Sequence, residues 1–298
     1  MPLTPVRDMV QAAMAQGFAV GYFEGWNLES VQGVIDAAEA TRSPVLVGFN
    51  GEFLSRAGRL AEERLAWYAA LGRAAAESAS VPCGLVFNEC AQDDWVRRAV
   101  DAGFGQVMLD APGAPAEDVV RRVAEVTAYA HGRGVASEAA VGELPFGGGG
   151  AGAAARGERT EPDAAAEFVR RTGVDILAVS VGNVHVLTSG SRGLDLECLE
   201  AVRRRVDVPF DLHGGTGIDP AALGQAIGLG VAKVSFGTCL KQRYLAAVRR
   251  ALGGAGAGPN PHALLGMGGP EDVLVAGRLA VCDAVLERVP ALGCAGRA

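Results

Sequence analysis

The sequence alternates eight times between a short apolar segment rich in β-forming residues and an amphipathic segment of helical length. This pattern is typical of parallel strands joined by helices, because a parallel pair of strands needs a crossover connection. Eight such units in 298 residues favour a closed (β/α)8 TIM barrel over an open sheet. The predicted strands are Gly17–Phe23, Pro44–Phe49, Cys83–Phe87, Gln106–Leu109, Gly134–Ser137, Asp175–Val181, Val208–Leu212 and Ala232–Phe236.

The helices complete one barrel, and no break in composition marks a second domain, so we predict a single domain over residues 1–298. An extra C-terminal helix, Pro270–Arg288, is expected to pack outside the barrel. The glycine-rich segment Gly147–Gly157 is interpreted as either a mobile lid or a flexible surface loop. The eight barrel helices are predicted to begin near Leu28, Arg59, Asp93, Pro115, Glu161, Leu194, Pro220 and Leu240.

Charge and cysteine content limit the classes of partner. A net charge of −7 and a pI near 5.2 argue against nucleic-acid or anionic-membrane binding. The six cysteines show no CxxC spacing, which indicates free thiols in a reducing compartment. No apolar run reaches the ~18 residues of a membrane span, and the N-terminus lacks a signal-peptide pattern. We therefore expect a cytoplasmic protein.

Side chains at the carboxyl ends of barrel strands share one mouth, so the strand ends supply the candidate site residues. Two of the four histidines, His185 and His213, follow strand ends; His131 and His262 are expected at the surface. Two histidines with a nearby glutamate indicate a metal site, whereas a lone histidine is more often hydrogen-bonded in a polar pocket. The other strand-end candidates are Glu24, Asn50, Asn88, Glu89, Asp110, Glu138 and Asn183.

The run His213–Gly217 (HGGTG) joins a predicted strand to a predicted helix. Backbone N–H groups of such a turn can bind a phosphate, although a tight turn needs the same glycines for steric reasons. Ser235 and Thr238 follow the next strand, and barrel phosphate sites commonly use the loops after strands seven and eight. We predict that Asn50, Gly214, Gly215, Thr216, Ser235 and Thr238 bind the substrate or its phosphate.

Four segments carry a resemblance to a known family. GVDILAVSVGNVHV (Gly173–Val186) resembles the family's GVDALAVAIGNVHG, and RVDVPFDLHGGTGID (Arg205–Asp219) resembles DIPLVLHGGSGIP. GVAKVSFGTCL (Gly230–Leu240) and FGQVMLDAP (Phe104–Pro112) are similar to GVAKINVNTDL and FTSVMIDGS. The segment Ala19–Val47 also follows the family's first β-α-β unit, and the C-terminal GCAGRA (Gly293–Ala298) resembles GSAGKA. Over essentially the whole chain, the protein therefore resembles the class II, metal-dependent fructose-bisphosphate and tagatose-bisphosphate aldolases.

The resemblance implies chemistry on ketose phosphates. Family members hold a zinc ion with three histidines, and the ion polarises the carbonyl of the dihydroxyacetone phosphate half. An aspartate handles the proton of the aldehyde oxygen. The matched positions make His185 and His213 metal ligands, and Gly214, Thr216, Ser235 and Thr238 phosphate or triose contacts. Thr216 replaces a serine, Ser235 an asparagine, and Val186 a glycine.

The third strand departs from the family. Its HLDHG motif is replaced by Val86–Cys90, which puts Asn88 at the catalytic aspartate and Glu89 at the first zinc histidine. Glu24 replaces an asparagine, and Ala140 replaces a second glutamate. Two histidines and one carboxylate form an established metal set, so we predict a divalent ion on Glu89, His185 and His213. Zn²⁺ is the ion expected, with Fe²⁺ and Mn²⁺ as alternatives.

These observations predict a divergent class II aldolase-like lyase that makes or breaks a C–C bond in a phosphorylated keto substrate. The amide of Asn88 cannot release and recover a proton at neutral pH. The proton transfer that the family's aspartate performs would therefore fall to Glu24, Glu138, Glu143 or Tyr22. Two alternatives stay open: a metal-dependent isomerase, epimerase or other enolising enzyme, and a non-catalytic sugar-phosphate-binding barrel. We also expect a homo-oligomer, either a dimer or a tetramer.

Overall fold

A computed structural model describes residues 3–147, 157–254 and 260–298. Eight parallel strands close into one barrel in chain order, and β8 pairs with β1. The predicted (β/α)8 barrel is therefore confirmed. The strands are β1 Val20–Glu24, β2 Val45–Asn50, β3 Cys83–Cys90, β4 Gln106–Leu109, β5 Ala136–Val141, β6 Ile176–Val179, β7 Phe210–Leu212 and β8 Val231–Phe236.

Helices surround the barrel. The predicted C-terminal helix is present as Val273–Leu286, which packs against the helices Thr238–Gly254 and Leu28–Thr41. A short 3₁₀ turn, Gly215–Gly217, follows β7. The helices are α1 Val6–Gln16, α2 Leu28–Thr41, α3 Gly51–Ser55, α4 Leu65–Ser78, α5 Asp93–Ala102, α6 Ala116–His131, α7 Pro162–Thr172, α8 Leu196–Arg203, α9 Pro220–Gly228, α10 Thr238–Gly254, α11 Pro261–Leu264, α12 Val273–Leu286 and α13 Val289–Leu292.

One predicted helix begins later than expected, and the N-terminal helix is additional. The helix expected near Arg59 begins only at Leu65, because the Arg59 guanidinium donates to the carbonyls of Phe53 and Ala61 and holds this segment as a loop. Helix α1 was not predicted. Its apolar face is buried, and the Thr4 N–H donates to the Cys83 carbonyl, so the N-terminal segment packs at the start of β3.

Strand ends also differ from the prediction where they matter for the site. Strand β3 runs on to Cys90, so Asn88 and Glu89 belong to the strand. Strand β5 ends at Val141 and not at the predicted Ser137, which puts Glu138 inside the strand and pairs it with Met108 and Ile176. Glu138 is consequently a residue of the barrel interior and not of the rim.

The barrel interior contains a fully buried polar layer within an otherwise apolar core. Its four members come from β4, β5, β7 and β8, and each has 0% of its surface exposed: Gln106, Glu138, Asp211 and Lys233. Charged groups are almost never fully buried without partners. The role of this layer therefore follows from the side chains that its members contact.

Residues 148–156 of the glycine-rich segment Gly147–Gly157 lie outside the described residues, so its interpretation as a lid or a loop stays a prediction. All six cysteines are free, as expected. Within the described ranges, no helix has the length and hydropathy needed to cross a membrane.

Candidate metal centre and active site

The structure brings Glu89, His185 and His213 together at the mouth of the barrel. Their potential ligand atoms all lie within 4.8 Å of one another. Glu89 Oε1 is 2.6 Å from His213 Nδ1 and 3.0 Å from His185 Nε2, and the two imidazole rings stack with centroids 5.8 Å apart. One divalent ion could replace the protons between these atoms, which is the arrangement expected from the sequence.

The backbone adopts the left-handed region at two residues beside this group, one in β3 and one in the loop after β6. Glu89 has φ of 47° and lies where the register between β3 and β4 shifts, between Phe87 and Cys90. Val186, next to His185, has φ of 53°, although a β-branched residue rarely adopts the left-handed region. Such conformations cluster at functional sites, where the surrounding structure fixes them.

Two asparagines orient the ligands. Asn50 Nδ2 donates to Glu89 Oε2 at 2.6 Å, which leaves Oε1 facing the histidines. The fully buried Asn183 donates to the carbonyls of His213 and Val179, and so ties the end of β6 to the end of β7. Asn50, predicted as a substrate contact, is thus bound to the carboxylate of the candidate ligand.

His213 has acidic partners on both sides of its ring. Nδ1 faces Glu89, while Nε2 lies 2.9 Å from Glu138 Oε1 and 3.1 Å from Asp211 Oδ2. Glu138, Asp211 and His213 therefore form a second group of ligand-capable side chains. A cation already lies in that second group, because Lys233 Nζ is 2.5 Å from Glu138 Oε2 and 3.0 Å from Asp211 Oδ2.

The buried Lys233 ammonium indicates which of the two groups can bind a divalent ion. A divalent ion on Glu138 and Asp211 would lie against the Lys233 ammonium inside the barrel, where repulsion is weakly screened. In the described part of the chain, no lysine or arginine forms an ion pair with Glu89. The donor set of Glu89, His185 and His213, two imidazoles and one carboxylate, fits a divalent transition metal such as zinc.

The electrostatics of these three side chains favour a positive charge among them. Burial opposes ionisation of Glu89, but the hydrogen bond and charge of His213 hold its pKa below the usual range. Burial lowers the pKa of His185, which keeps its imidazole neutral as metal binding requires. For His213, burial alone would lower the pKa, but Asp211 and the other two carboxylates raise it well above normal.

Asn88 and Tyr22 have buried polar atoms that lack partners. In the described part of the chain, neither Asn88 Oδ1 nor the Tyr22 hydroxyl has a hydrogen-bond partner. Burial first, and then the charge of Glu24, raises the pKa of Tyr22 well above 10.0. A buried acceptor without a partner lowers the stability of the folded protein. Asn88 Oδ1 can therefore accept a hydrogen bond from a bound molecule.

A cavity of about 190 Å³ lies beside the metal-capable group, lined in part by Glu24, Trp26, Asn50, Arg59 and Lys241. Glu24 Oε1 is 2.5 Å from Lys241 Nζ. Burial raises the pKa of Glu24 in spite of this lysine. The cavity thus contains a carboxyl group that holds its proton more tightly than an ordinary glutamate does.

The glycine turn lies at the same mouth. Gly214 has φ of 69°, and a Cβ on it would lie 2.2 Å from the Val184 carbonyl oxygen, so this glycine is required by the turn itself. Thr216 Oγ1 accepts from the N–H of Cys239 at 3.2 Å, which joins the turn to the first residues of α10. Thr238 begins that helix, whose N-terminus favours an anion.

Of the remaining predicted residues, Ser235 is buried in the barrel and the others are exposed. Ser235 is buried and donates to Asp211 Oδ2 at 2.8 Å. Glu143 is exposed beyond the end of β5, where its backbone pairs with Glu158. His131 and His262 are exposed, as expected.

Sequence reasoning missed the buried layer. Asp211 and Lys233 carry charge inside strands that are otherwise apolar, and this departure from the strand pattern was a signal that they contact each other. Asp110 was noted only as a strand end. Burial, and then the charge of Glu89, raises its pKa to about 6.

Comparison with known proteins decides the family. The model of class II fructose-bisphosphate aldolases matches residues 4–297. The chain belongs to the class II fructose-bisphosphate aldolase family. Among relatives, it is 31% identical to the fructose-bisphosphate aldolase of Geobacillus stearothermophilus, over 100% of this chain and 99% of that protein. It is 34% identical to a probable fructose-bisphosphate aldolase of Bacillus subtilis, over 85% of this chain and 87% of the relative.

A solved structure supports the same assignment. The crystal structure of the YdjI aldolase from Escherichia coli K12 superposes with a TM-score of 0.79 at 30% identity, and the match covers 99% of each chain. The family and the aldolase relatives identify this chain as an aldolase-like lyase. The group of Glu89, His185 and His213 agrees with the divalent metal that the family uses.

Proposed function

We propose that this protein is a divalent-metal-dependent carbon–carbon lyase acting on a phosphorylated keto substrate, with a catalytic corner unlike that of its relatives. The observation that carries the proposal is the convergence of Glu89, His185 and His213 within 4.8 Å at the barrel mouth. The relatives named for fructose bisphosphate support a phosphorylated sugar as the substrate class. Zinc fits the donor set best, with Fe²⁺ and Mn²⁺ as alternatives.

The anion site binds the phosphate of the substrate, and the metal group lies at its carbonyl. When bound, the ion supplies a Lewis acid for the substrate carbonyl. The turn at Gly214–Thr216 and the N-terminus of α10 at Thr238 bind the phosphate through backbone N–H and hydroxyl groups. The other half of the substrate extends into the cavity lined by Glu24 and Lys241.

Asn88 and Glu24 together replace the family's catalytic aspartate, Asn88 in orienting the substrate and Glu24 in proton transfer. The Asn88 amide binds and orients the hydroxyl that becomes the aldehyde oxygen, but it cannot remove the proton. We assign proton transfer to Glu24, since burial raises its pKa and it lines the cavity. Both oxygens of Glu138 are already bonded, to His213, Lys233 and Gln106, which suits a positioning role.

The loss of the aspartate also favours a second candidate, an isomerase or epimerase that enolises the substrate without cleaving it. Such a reaction needs no proton donor at the aldehyde oxygen, so Asn88 would not impair it. Product analysis separates the two candidates, because only a lyase gives a triose phosphate and an aldehyde.

Restoring the family motif tests the proposal. We expect very weak cleavage of fructose bisphosphate by the wild type, since a lost acid–base group alone costs about 10²–10⁴-fold. The double variant Asn88→Asp/Glu89→His should gain this activity and lose the native one. Each single variant should gain less, because the two groups act in the same transition state. Ordinary rates of fructose bisphosphate cleavage by the wild type would refute the assignment of Asn88.

A further inference from the structure

Asp211 lies where the family motif DIPLVLHGGSGIP has a valine, two residues before His213. The chain has therefore introduced a carboxylate at a fully buried position of the barrel. A buried charge is strongly unfavourable unless it is paired and hydrogen-bonded. The partners of Asp211 show which group it serves.

The partners are three. Asp211 Oδ2 lies 3.1 Å from His213 Nε2 and 3.0 Å from Lys233 Nζ, and it accepts the Ser235 hydroxyl at 2.8 Å. Ser235 is itself a departure, because the family motif has an asparagine there. Two departures from the family thus contact each other, next to a predicted metal ligand.

We infer that Asp211 is a positioning residue that fixes His213 for metal binding through Nδ1. His213 Nε2 is hydrogen-bonded to Glu138 Oε1 at 2.9 Å, and Asp211 Oδ2 lies 3.1 Å from the same nitrogen. Carboxylates at Nε2 keep the proton on that nitrogen and fix the ring orientation, which leaves Nδ1 free to bind a metal. Asp211 and Glu138 both lie on the Nε2 side, so Nδ1 faces Glu89 and the ion.

Asp211 also balances the charge behind the histidine. Lys233 is within 3.0 Å of both Asp211 and Glu138, so a single carboxylate would be neutralised by the ammonium. With Asp211 and Glu138 together, the layer has two acidic side chains and one ammonium group on the side of His213 that faces away from the metal. A carboxylate at Nε2 makes the imidazole a stronger donor toward a divalent ion.

The inference rests on the proposed metal site, and its test measures metal binding directly. Asp211→Asn and Asp211→Val are compared with wild type by competition between the apo protein and a chelator for Zn²⁺. We expect about 10–100-fold weaker Zn²⁺ binding in both variants. The visible absorption bands of the Co²⁺-substituted protein should shift as well, because the donor strength of His213 changes.

The matched control is Asp272→Asn, which removes another buried aspartate carboxylate, one that accepts backbone N–H groups at the start of α12. It should lower the Tm and leave Zn²⁺ affinity and the Co²⁺ spectrum unchanged. A folded Asp211→Asn that binds Zn²⁺ as tightly as wild type, with the same spectrum, would overturn the inference and leave the metal site intact.

A second measurement covers the case in which the Asp211 variants do not fold. A crystal structure of the wild-type protein with Zn²⁺ should show His213 binding through Nδ1, with Nε2 facing Asp211. Binding through Nε2, with Asp211 as a ligand, would overturn the inference alone. A wild-type protein that binds no divalent ion would overturn both the inference and the proposed function.

Discussion

Replacing Lys233 by methionine should destabilise the protein strongly. Its ammonium is fully buried and is the cation shared by Glu138 and Asp211, at 2.5 and 3.0 Å. Methionine has a similar length but no charge, so the variant leaves two buried carboxylates without their lysine. Breaking a buried ion pair in this way typically costs about 3–5 kcal/mol. We expect a loss of this size in the free energy of unfolding.

The assay is chemical denaturation of the metal-free protein, since bound metal would add its own stabilisation. Lys241→Met is the control, because its pair with Glu24 is partly exposed and pairs near solvent contribute about 0–1 kcal/mol. Adding Asp211→Val to Lys233→Met removes one unpaired charge and should restore part of the loss. If Lys233→Met costs no more than Lys241→Met, the account of the buried layer is wrong.

Three further predictions concern the mouth of the barrel. Thr216→Glu puts a carboxylate at the anion site and should greatly raise the Kd of a phosphate compound; unchanged binding would exclude the site. Val186→Gly removes a left-handed strain of about 1–2 kcal/mol, and because glycine is more flexible when unfolded we expect at most about 1 kcal/mol of gain. The control Val184→Gly, at a buried residue outside the left-handed region, should destabilise the protein. The raised pKa of Asp110, about 6, means that the folded protein binds its proton more tightly than the unfolded chain. Its stability contribution is therefore present at low pH and lost as pH rises toward 6, so Asp110→Asn should stabilise the metal-free protein at pH 7 more than at pH 4. An equal effect at both pH values would contradict this assignment.

Much of the fold and the ligand set could be predicted from the sequence. Strand patterns placed His185 and His213 beyond β6 and β7, and a closed barrel brings all carboxyl ends to one mouth. Glu89 was found because it occupies a histidine position in a recognisable motif. Each of these predictions depended on strand order or on local motifs, and both can be read directly from the sequence.

The buried layer could not be predicted in the same way. Whether Glu138 lies at the rim or in the interior depends on where β5 ends, and strand boundaries are the least certain part of a prediction from sequence. The contact between Lys233 and Asp211 depends on the register of β7 and β8, which the sequence does not show. The left-handed backbone of Glu89 and Val186 is likewise set by tertiary packing, since neither residue type favours it.

Metal-dependent release of a triose phosphate tests the central claim most directly. The purified protein is assayed with a panel of ketose 1-phosphates and bisphosphates, before and after chelation, and its metal content is measured in parallel. We predict about one divalent ion per chain, release of dihydroxyacetone phosphate from at least one ketose phosphate, loss of activity on chelation and recovery with Zn²⁺. His213→Ala should lack both the ion and the activity. A protein that cleaves its substrate equally well without any divalent ion, or that binds ketose phosphates and releases no triose phosphate, would contradict the account.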